Sequence, residues 1–255
     1  MAYTRKGDGP PVVMAHGYVG DGASTWRPQL EGLSDELDVV AVDLPGAGGS
    51  DDPPEDLGIE GCADALAGVV AALGLGRPHV VGLSFGGMVA IELARRHPDV
   101  PATLTLVGAY AGWKGSLSEQ EADRRLQQAL ELSELAPQEL VDALLPTMFA
   151  PSADPAVVAA FGEALAAFHP SGFRAMARAC HVDLTDALRT IRVPTLLVYG
   201  GADSRASAEV SSPIHEAIRG SELVVLGGAG HLCNVDAPDA FDLALRGFLG
   251  QHPPG

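Results

Sequence analysis

The sequence predicts an α/β protein with a mainly parallel central sheet flanked by helices, and three observations carry that reading. Short, continuously apolar runs alternate with longer stretches of helical periodicity, and turns rich in glycine and proline separate them. With 255 residues, 47% of them hydrophobic, the chain is long enough to bury one large core.

The elements follow in order. Ala2-Tyr3-Thr4-Arg5 reads as a short strand closed by the Gly7-Asp8-Gly9-Pro10 turn, and Pro11-Val12-Val13-Met14-Ala15 as a second, more apolar strand ending at His16-Gly17-Tyr18. Leu30, Leu33 and Leu37 place a helix over Trp26 to Leu37. Leu37 to Val42 is the next strand, followed by the loop Asp43 to Ser50. Ile59 to Leu73 reads as a helix stopped by Gly74 and Gly76. The strand Pro78-His79-Val80-Val81 leads into Gly82-Leu83-Ser84-Phe85-Gly86-Gly87, and a helix from Met88 stops near His97-Pro98. Ala102 to Val107, Val193 to Tyr199 and Leu223 to Leu226 complete the strands, and Asp239 to Leu249 forms a last helix before a frayed tail.

Between Tyr110 and Val193 lies a stretch far longer than the ~10–15 residues of an ordinary crossover, so it must carry its own helices. Four are expected: Ser118 to Leu135, Pro137 to Leu145, Pro155 to Phe168 and Ser171 to Cys180, with Pro146, Pro151 and Pro170 between them. This divides the chain into a core at 1–111 and 187–255 and a helical lid at 112–186.

Charge narrows the function classes. Sixteen Lys and Arg against 33 Asp and Glu give a formal net charge of -17, which repels phosphate backbones and anionic lipid surfaces. Neither nucleic acid nor a membrane is expected as a partner. No apolar run approaches the ~20 residues of a membrane span and no signal peptide is evident, so the expected location is cytoplasmic. Cys62, Cys180 and Cys233 are too far apart and too few for a zinc or redox motif; Cys180-His181 stands without a second ligand pair. No metal or other cofactor is expected, and the chain is taken as a monomer or homodimer acting on a small molecule.

The chemistry sits in Gly82 to Gly87. A G-x-S-x-G turn between strand and helix is a nucleophile elbow: glycines allow close approach of the two elements and leave the Ser84 hydroxyl exposed in a strained turn. Serine needs a base, and the base needs a carboxylate to orient it. His231 follows the last strand in Gly227-Gly228-Ala229-Gly230-His231, and Asp203 follows the strand before it in Gly200-Gly201-Ala202-Asp203. Asp43 also lies at a strand end and is the other candidate acid.

Five ordered stretches therefore point one way: Gly7 to Tyr18, Asp43 to Ser50, the elbow, Gly200 to Asp203, and Gly230-His231 with Asn234 to Pro238. Over nearly its whole length the sequence resembles the α/β-hydrolase superfamily, most of all lidded, cofactor-free esterase and lactonase members similar to enol-lactonases and non-metal haloperoxidases. The resemblance implies an α/β-hydrolase fold of about seven or eight strands, with the lid inserted after the sixth strand of the family pattern. Seven are favoured, because the usual extra N-terminal strand is missing. It also implies a Ser84, His231, Asp203 triad and an oxyanion hole formed by the Tyr18 and Phe85 backbone amides. His16 is then expected to hold its loop by hydrogen bonds. Ser207 departs from the pattern, which has a proline there.

The expected function is cleavage of a carboxylic ester or lactone through an acyl-enzyme. A thioesterase, a carbon–carbon bond hydrolase or an acyltransferase would use the same residues, and a small-molecule receptor of hydrolase ancestry would keep them. Serine at the apex argues against epoxide hydrolases and haloalkane dehalogenases, which need a carboxylate there. In the lid, Trp113, Met148, Phe149, Phe168 and Met176 are the candidate substrate-binding residues, suggesting an uncharged hydrophobic substrate body. Arg174 and Arg178, four residues apart, are read as a solvated helix face that could also meet a substrate carboxylate.

Overall fold

Seven strands form one sheet in the order β1-β3-β2-β4-β5-β6-β7, parallel throughout except for β1. The computed structural model describes residues 1–254. β1 (Tyr3–Lys6) is exposed along its length and pairs antiparallel with β3 (Asp38–Val42), whereas β2 (Pro11–Ala15) lies between β3 and β4 (His79–Leu83). β5 (Thr103–Val107), β6 (Thr195–Gly200) and β7 (Glu222–Leu226) extend the sheet on the other side. Every residue of β3, β4, β5 and β6 is buried, as their unbroken apolar runs require of strands covered on both faces.

Between β2 and β3 runs α1 (Gly22–Gly32). The helix begins earlier than Trp26, because Asp21 caps it by accepting from the Ser24 amide at 2.6 Å, and it ends before Leu37. α2 (Gly58–Ala72) and α3 (Phe85–Arg96) agree with the sequence spacing, as does the closing helix that follows the His231 loop.

The stretch between β5 and β6 holds α4 (Trp113–Ser116), α5 (Glu119–Leu132), α6 (Pro137–Leu144), α7 (Pro155–Ala166), α8 (Pro170–Cys180) and α9 (Thr185–Leu188). The four longer helices match expectation to within a few residues. The inserted chain leaves and returns at one place, because Leu184 N–H donates to the Ala111 carbonyl at 2.8 Å and Lys114 N–H to Val182 at 3.1 Å. A Cβ on Gly112 would lie 1.9 Å from the Val182 oxygen, so that closure requires glycine.

α10 (Ala208–Ala217) joins β6 to β7, and α11 (Cys233–Asp236) and α12 (Pro238–Gln251) end the fold. α10 was not evident in the sequence, since Pro213 and two adjacent serines read locally as helix breakers.

The strand order reverses between β2 and β4. From β2 the chain runs outward to β3, then crosses back to β4 and continues the other way. The crevice at such a switch point, beyond the C-terminal strand ends, is where open α/β sheets bind ligands. His16-Gly17-Tyr18 and Ser84 both lie there.

Candidate active site

Ser84 stands between β4 and α3 with φ 52° and ψ −107°, the one non-glycine residue at positive φ among those described. Such strain persists only where the surroundings over-determine it. A Cβ on Gly82 would sit 2.2 Å from the Gly86 carbonyl oxygen, and one on Gly86 would sit 2.3 Å from that of Ala15. Strand and helix thus cross at a separation that admits no side chain. Gly17 crosses above the elbow, its own Cβ position 3.8 Å from the Ser84 Cβ.

His231 and Asp203 are both buried, with His231 Nδ1 2.8 Å from Asp203 Oδ2. A proton on Nδ1 donated to that carboxylate leaves Nε2 as the basic nitrogen. The other Asp203 oxygen accepts from the backbone amides of Arg205 at 2.7 Å and Ala206 at 3.0 Å. Burial pushes the Asp203 carboxyl up, but the neighbouring imidazole and the two amides outweigh it, and the group lies below its ordinary value. Gly108, at φ 51°, lies flat against this pair: a Cβ there would be 3.2 Å from the imidazole.

Ser84 and His231 line one small cavity of about 10 Å³, closed over by Tyr18, Val19, Met148, Phe161 and Leu232. That is close to the space one water needs. The Tyr18 and Phe85 amides have no acceptor given to them by other described residues, and Phe85 is the first residue of α3, where the helix dipole favours negative charge.

His16 holds its loop. The Leu44 amide donates to Nε2 at 2.9 Å, so the proton is on Nδ1, which donates to the Gly17 carbonyl at 2.5 Å. Burial lowers the pKa of this ring and keeps it neutral. Asp43 is turned away from His231, accepting from the amides of Gly22 and Gly49, both at 2.9 Å.

The remaining histidines have other partners. His79 reaches Thr103 inside the sheet, where burial pushes it down to about 4, and His97, His169 and His181 face Asp64, Asp52 and Asp123. Cys62, Cys180 and Cys233 are buried free thiols, and burial pushes Cys62 up to about 12.

A scan against protein families matches the alpha/beta hydrolase family over residues 12–242. The chain belongs to the alpha/beta hydrolase family. A protein named "Putative carbamate hydrolase RutD" from Escherichia coli O81 is 32% identical over 96% of this chain and 92% of its own length. Among solved structures, an esterase from Thermogutta terrifontis, with malate bound, superposes with a TM-score of 0.90 at 31% identity, covering 98% of this chain and 93% of that one. The enol-lactonase of Burkholderia xenovorans superposes at 0.87 with 27% identity, covering 98% and 96%.

Within this hydrolase fold the candidate substrate-binding residues of the inserted segment separate. Met148 faces the Ser84 cavity. Phe168 and Met176 line a second cavity of about 300 Å³ beside the Asp43 loop, and Trp113 lines a third of about 280 Å³. Phe149 packs edge-on against Phe161, their centroids 5.5 Å apart. Arg174 and Arg178 pair with Glu55 at 2.9 and 3.4 Å on the surface.

Sequence reasoning missed two fastenings. Asp236 Oδ2 accepts from the Gly230 amide at 2.7 Å and from Ala150 of the inserted segment at 2.8 Å, while Leu232 N–H donates to the Met148 carbonyl at 2.9 Å. The loop carrying His231 is therefore sewn to the strip 148–150. Asp236 stood within a quoted motif, but nothing local indicates that its partner is 86 residues away. Arg205, two residues after Asp203, was the other omission.

Proposed function

We propose that this protein is a serine hydrolase that cleaves a carboxylic ester or lactone. The observation that carries the reading is Ser84, held at φ 52° on a glycine-locked elbow, in one cavity with His231, itself bonded to Asp203 at 2.8 Å. In this mechanism His231 Nε2 takes the Ser84 proton as Oγ attacks the carbonyl. The Tyr18 and Phe85 amides stabilise the oxyanion, and the imidazolium protonates the leaving alcohol. Water activated by the same ring then releases the acid. Serine and histidine supply nucleophile and base, so EDTA should leave turnover unchanged.

The helical segment 112–186 acts as a lid. With Met148 and Phe161 in place the space at Ser84 holds no substrate, so this segment or the Tyr18 side chain moves to admit one. A second reading, hydrolysis of a carbamate, is favoured by the full-length similarity to the RutD proteins; the same attack on a carbamate carbonyl would serve. A panel of esters, lactones, thioesters and carbamates, with fluorophosphonate labelling of Ser84, tests both. Turnover of carbamates alone would replace the ester reading, and turnover surviving in Ser84→Ala would remove both.

A further inference from the structure

The cavity lined by Trp113 is unlike the rest of this acidic molecule. Three of the chain's sixteen cationic Lys and Arg side chains, Arg124, Arg125 and Arg205, line its wall, and no Asp or Glu does among the described residues. Arg124 and Arg125 share one carboxylate, Glu121, at 2.7 and 3.2 Å.

Arg205 is held differently. Its Nη2 donates to the Tyr18 hydroxyl at 3.0 Å and its Nη1 to Thr147 Oγ1 at 2.9 Å, both neutral groups, and the guanidinium lies 5.9 Å from the Tyr18 ring centroid. The adjacent Asp203 meets Arg205 through backbone only, its other oxygen being committed to His231. Arg125 braces the arrangement by donating to Tyr110 Oη at 3.0 Å and, at 3.4 Å, to the Arg205 carbonyl, which the Tyr110 hydroxyl also reaches. This half-buried guanidinium gives up solvation, its side-chain hydrogen bonds go to neutral groups, and the Asp203 carboxylate acts on it only from a distance, with no ion pair formed. A ligand carboxylate would supply the missing charge in bidentate geometry.

The cavity adjoins the reaction centre. Tyr18 lines both it and the Ser84 cavity, and its hydroxyl accepts from Arg205. Thr147 and Met148, neighbours in the chain, face one cavity each. Tyr18 and the pair Thr147–Met148 thus border both cavities, the one holding Ser84 and the one holding the guanidinium.

Building on the serine hydrolase reading, we propose that Arg205, supported by Arg125, binds an anionic group on the substrate, so that the preferred ester or lactone carries a second carboxylate a few carbons from the reacting carbonyl. This departs from the apolar substrate body that the lid sequence suggests, because the wall of this cavity is cationic.

The test compares monomethyl glutarate with methyl glutaramate, equal in size and differing in charge, by acid release in a pH-stat. A single charged hydrogen-bonded pair is worth on the order of tenfold to a hundredfold, so kcat/KM for the anion should exceed that for the amide by about 30-fold. In Arg205→Met that ratio should fall to within about threefold of unity, chiefly through KM, with Arg205→Lys intermediate. A purely structural Arg205 would lower both rates and leave the ratio in place, which would overturn the proposal.

Calorimetric binding of glutarate against glutaramide to Ser84→Ala protein gives a readout free of catalysis and of any folding defect in the arginine variants. Preference for glutarate by about tenfold or more, with no ester turned over by the parent protein, would sink the hydrolase reading and leave the anion site standing. Equal binding of the two, or a wild-type rate ratio near unity, would overturn the anion site.

Discussion

The elbow helix α3 and the inserted helix α5 are of similar length and opposite character. α3 buries ten of its twelve residues, whereas α5 buries two of fourteen, Ala122 and Ala129. α3 is enclosed because it sets the position of Ser84: every neighbour contributes to holding a strained backbone that would relax if given room. α5 carries surface ion pairs such as Arg124–Glu121 and contributes Arg124 and Arg125 to a cavity wall. Ser84 thus rests on a packed scaffold, whereas two of the three arginines of that cavity rest on a little-buried helix of the inserted segment, the third, Arg205, being on the core loop after β6. That segment is fastened at particular seams: the strip 148–150 on the His231 loop, and α8 on the Asp43 loop, where a Cβ on Gly172 would sit 2.0 Å from the Gly46 oxygen.

The sharpest test of this contrast is the nucleophile itself. Ser84→Ala should lower kcat by on the order of 10⁴-fold or more, His231→Ala similarly, and Asp203→Ala less, measured on the best substrate of the panel. If Asp203→Ala retains wild-type turnover, the acid assignment fails.

Glycines in the two regions should then respond in opposite ways. Gly82→Ala forces a methyl to 2.2 Å from a backbone oxygen and should destabilise the fold by about 3 kcal/mol or more in urea unfolding. Gly162→Ala, within α7, meets side-chain methyls alone, Leu145 Cδ2 at 3.3 Å and Val141 Cγ1 at 3.6 Å, and its helical gain of up to about 1 kcal/mol should leave stability unchanged or raised. Comparable losses at both positions would mean that the inserted segment is as tightly constrained as the core.

The seam between the regions should show an intermediate effect. Asp236→Ala leaves the Gly230 and Ala150 amides without their acceptor and should cost about 1–3 kcal/mol, with a fall in kcat as the His231 loop loosens. Glu121→Gln on α5 should change stability by less than about 0.5 kcal/mol. An Asp236→Ala protein with unaltered melting and turnover would show that the seam holds nothing in register.

The smallest expected effect is at acid pH. Because the folded Asp203 carboxyl lies below the ordinary value of 3.8, its contribution to stability is complete above that value and fades as pH falls through the lower, folded one. Asp203→Asn should therefore flatten the acid limb of the stability curve, read by circular dichroism, and an unchanged limb would contradict the direction of that shift.

Most of the core was legible because its information is local. A continuous apolar run is a buried strand, glycines two residues either side of a serine are an elbow, and chain order placed Ser84, Asp203 and His231 at strand ends. The sequence alone also located the four longer helices between β5 and β6 from their prolines and periodicity. It preferred Asp203 to Asp43 as the acid through the family resemblance, because locally each is simply a carboxylate after a strand and only three-dimensional proximity to His231 separates them.

Tertiary structure alone decided the rest. Arg205 was passed over since nothing in Asp203-Ser204-Arg205-Ala206 signals a cavity; its setting is made by Tyr18, Thr147 and Arg125, 187, 58 and 80 residues away. Arg174 and Arg178 drew attention by their helical spacing and proved to face Glu55 on the surface. Backbone conformation and burial follow from the pattern of neighbouring residues, but the electrostatic environment of a side chain is the sum of charges brought from distant parts of the chain, and only the folded arrangement adds them.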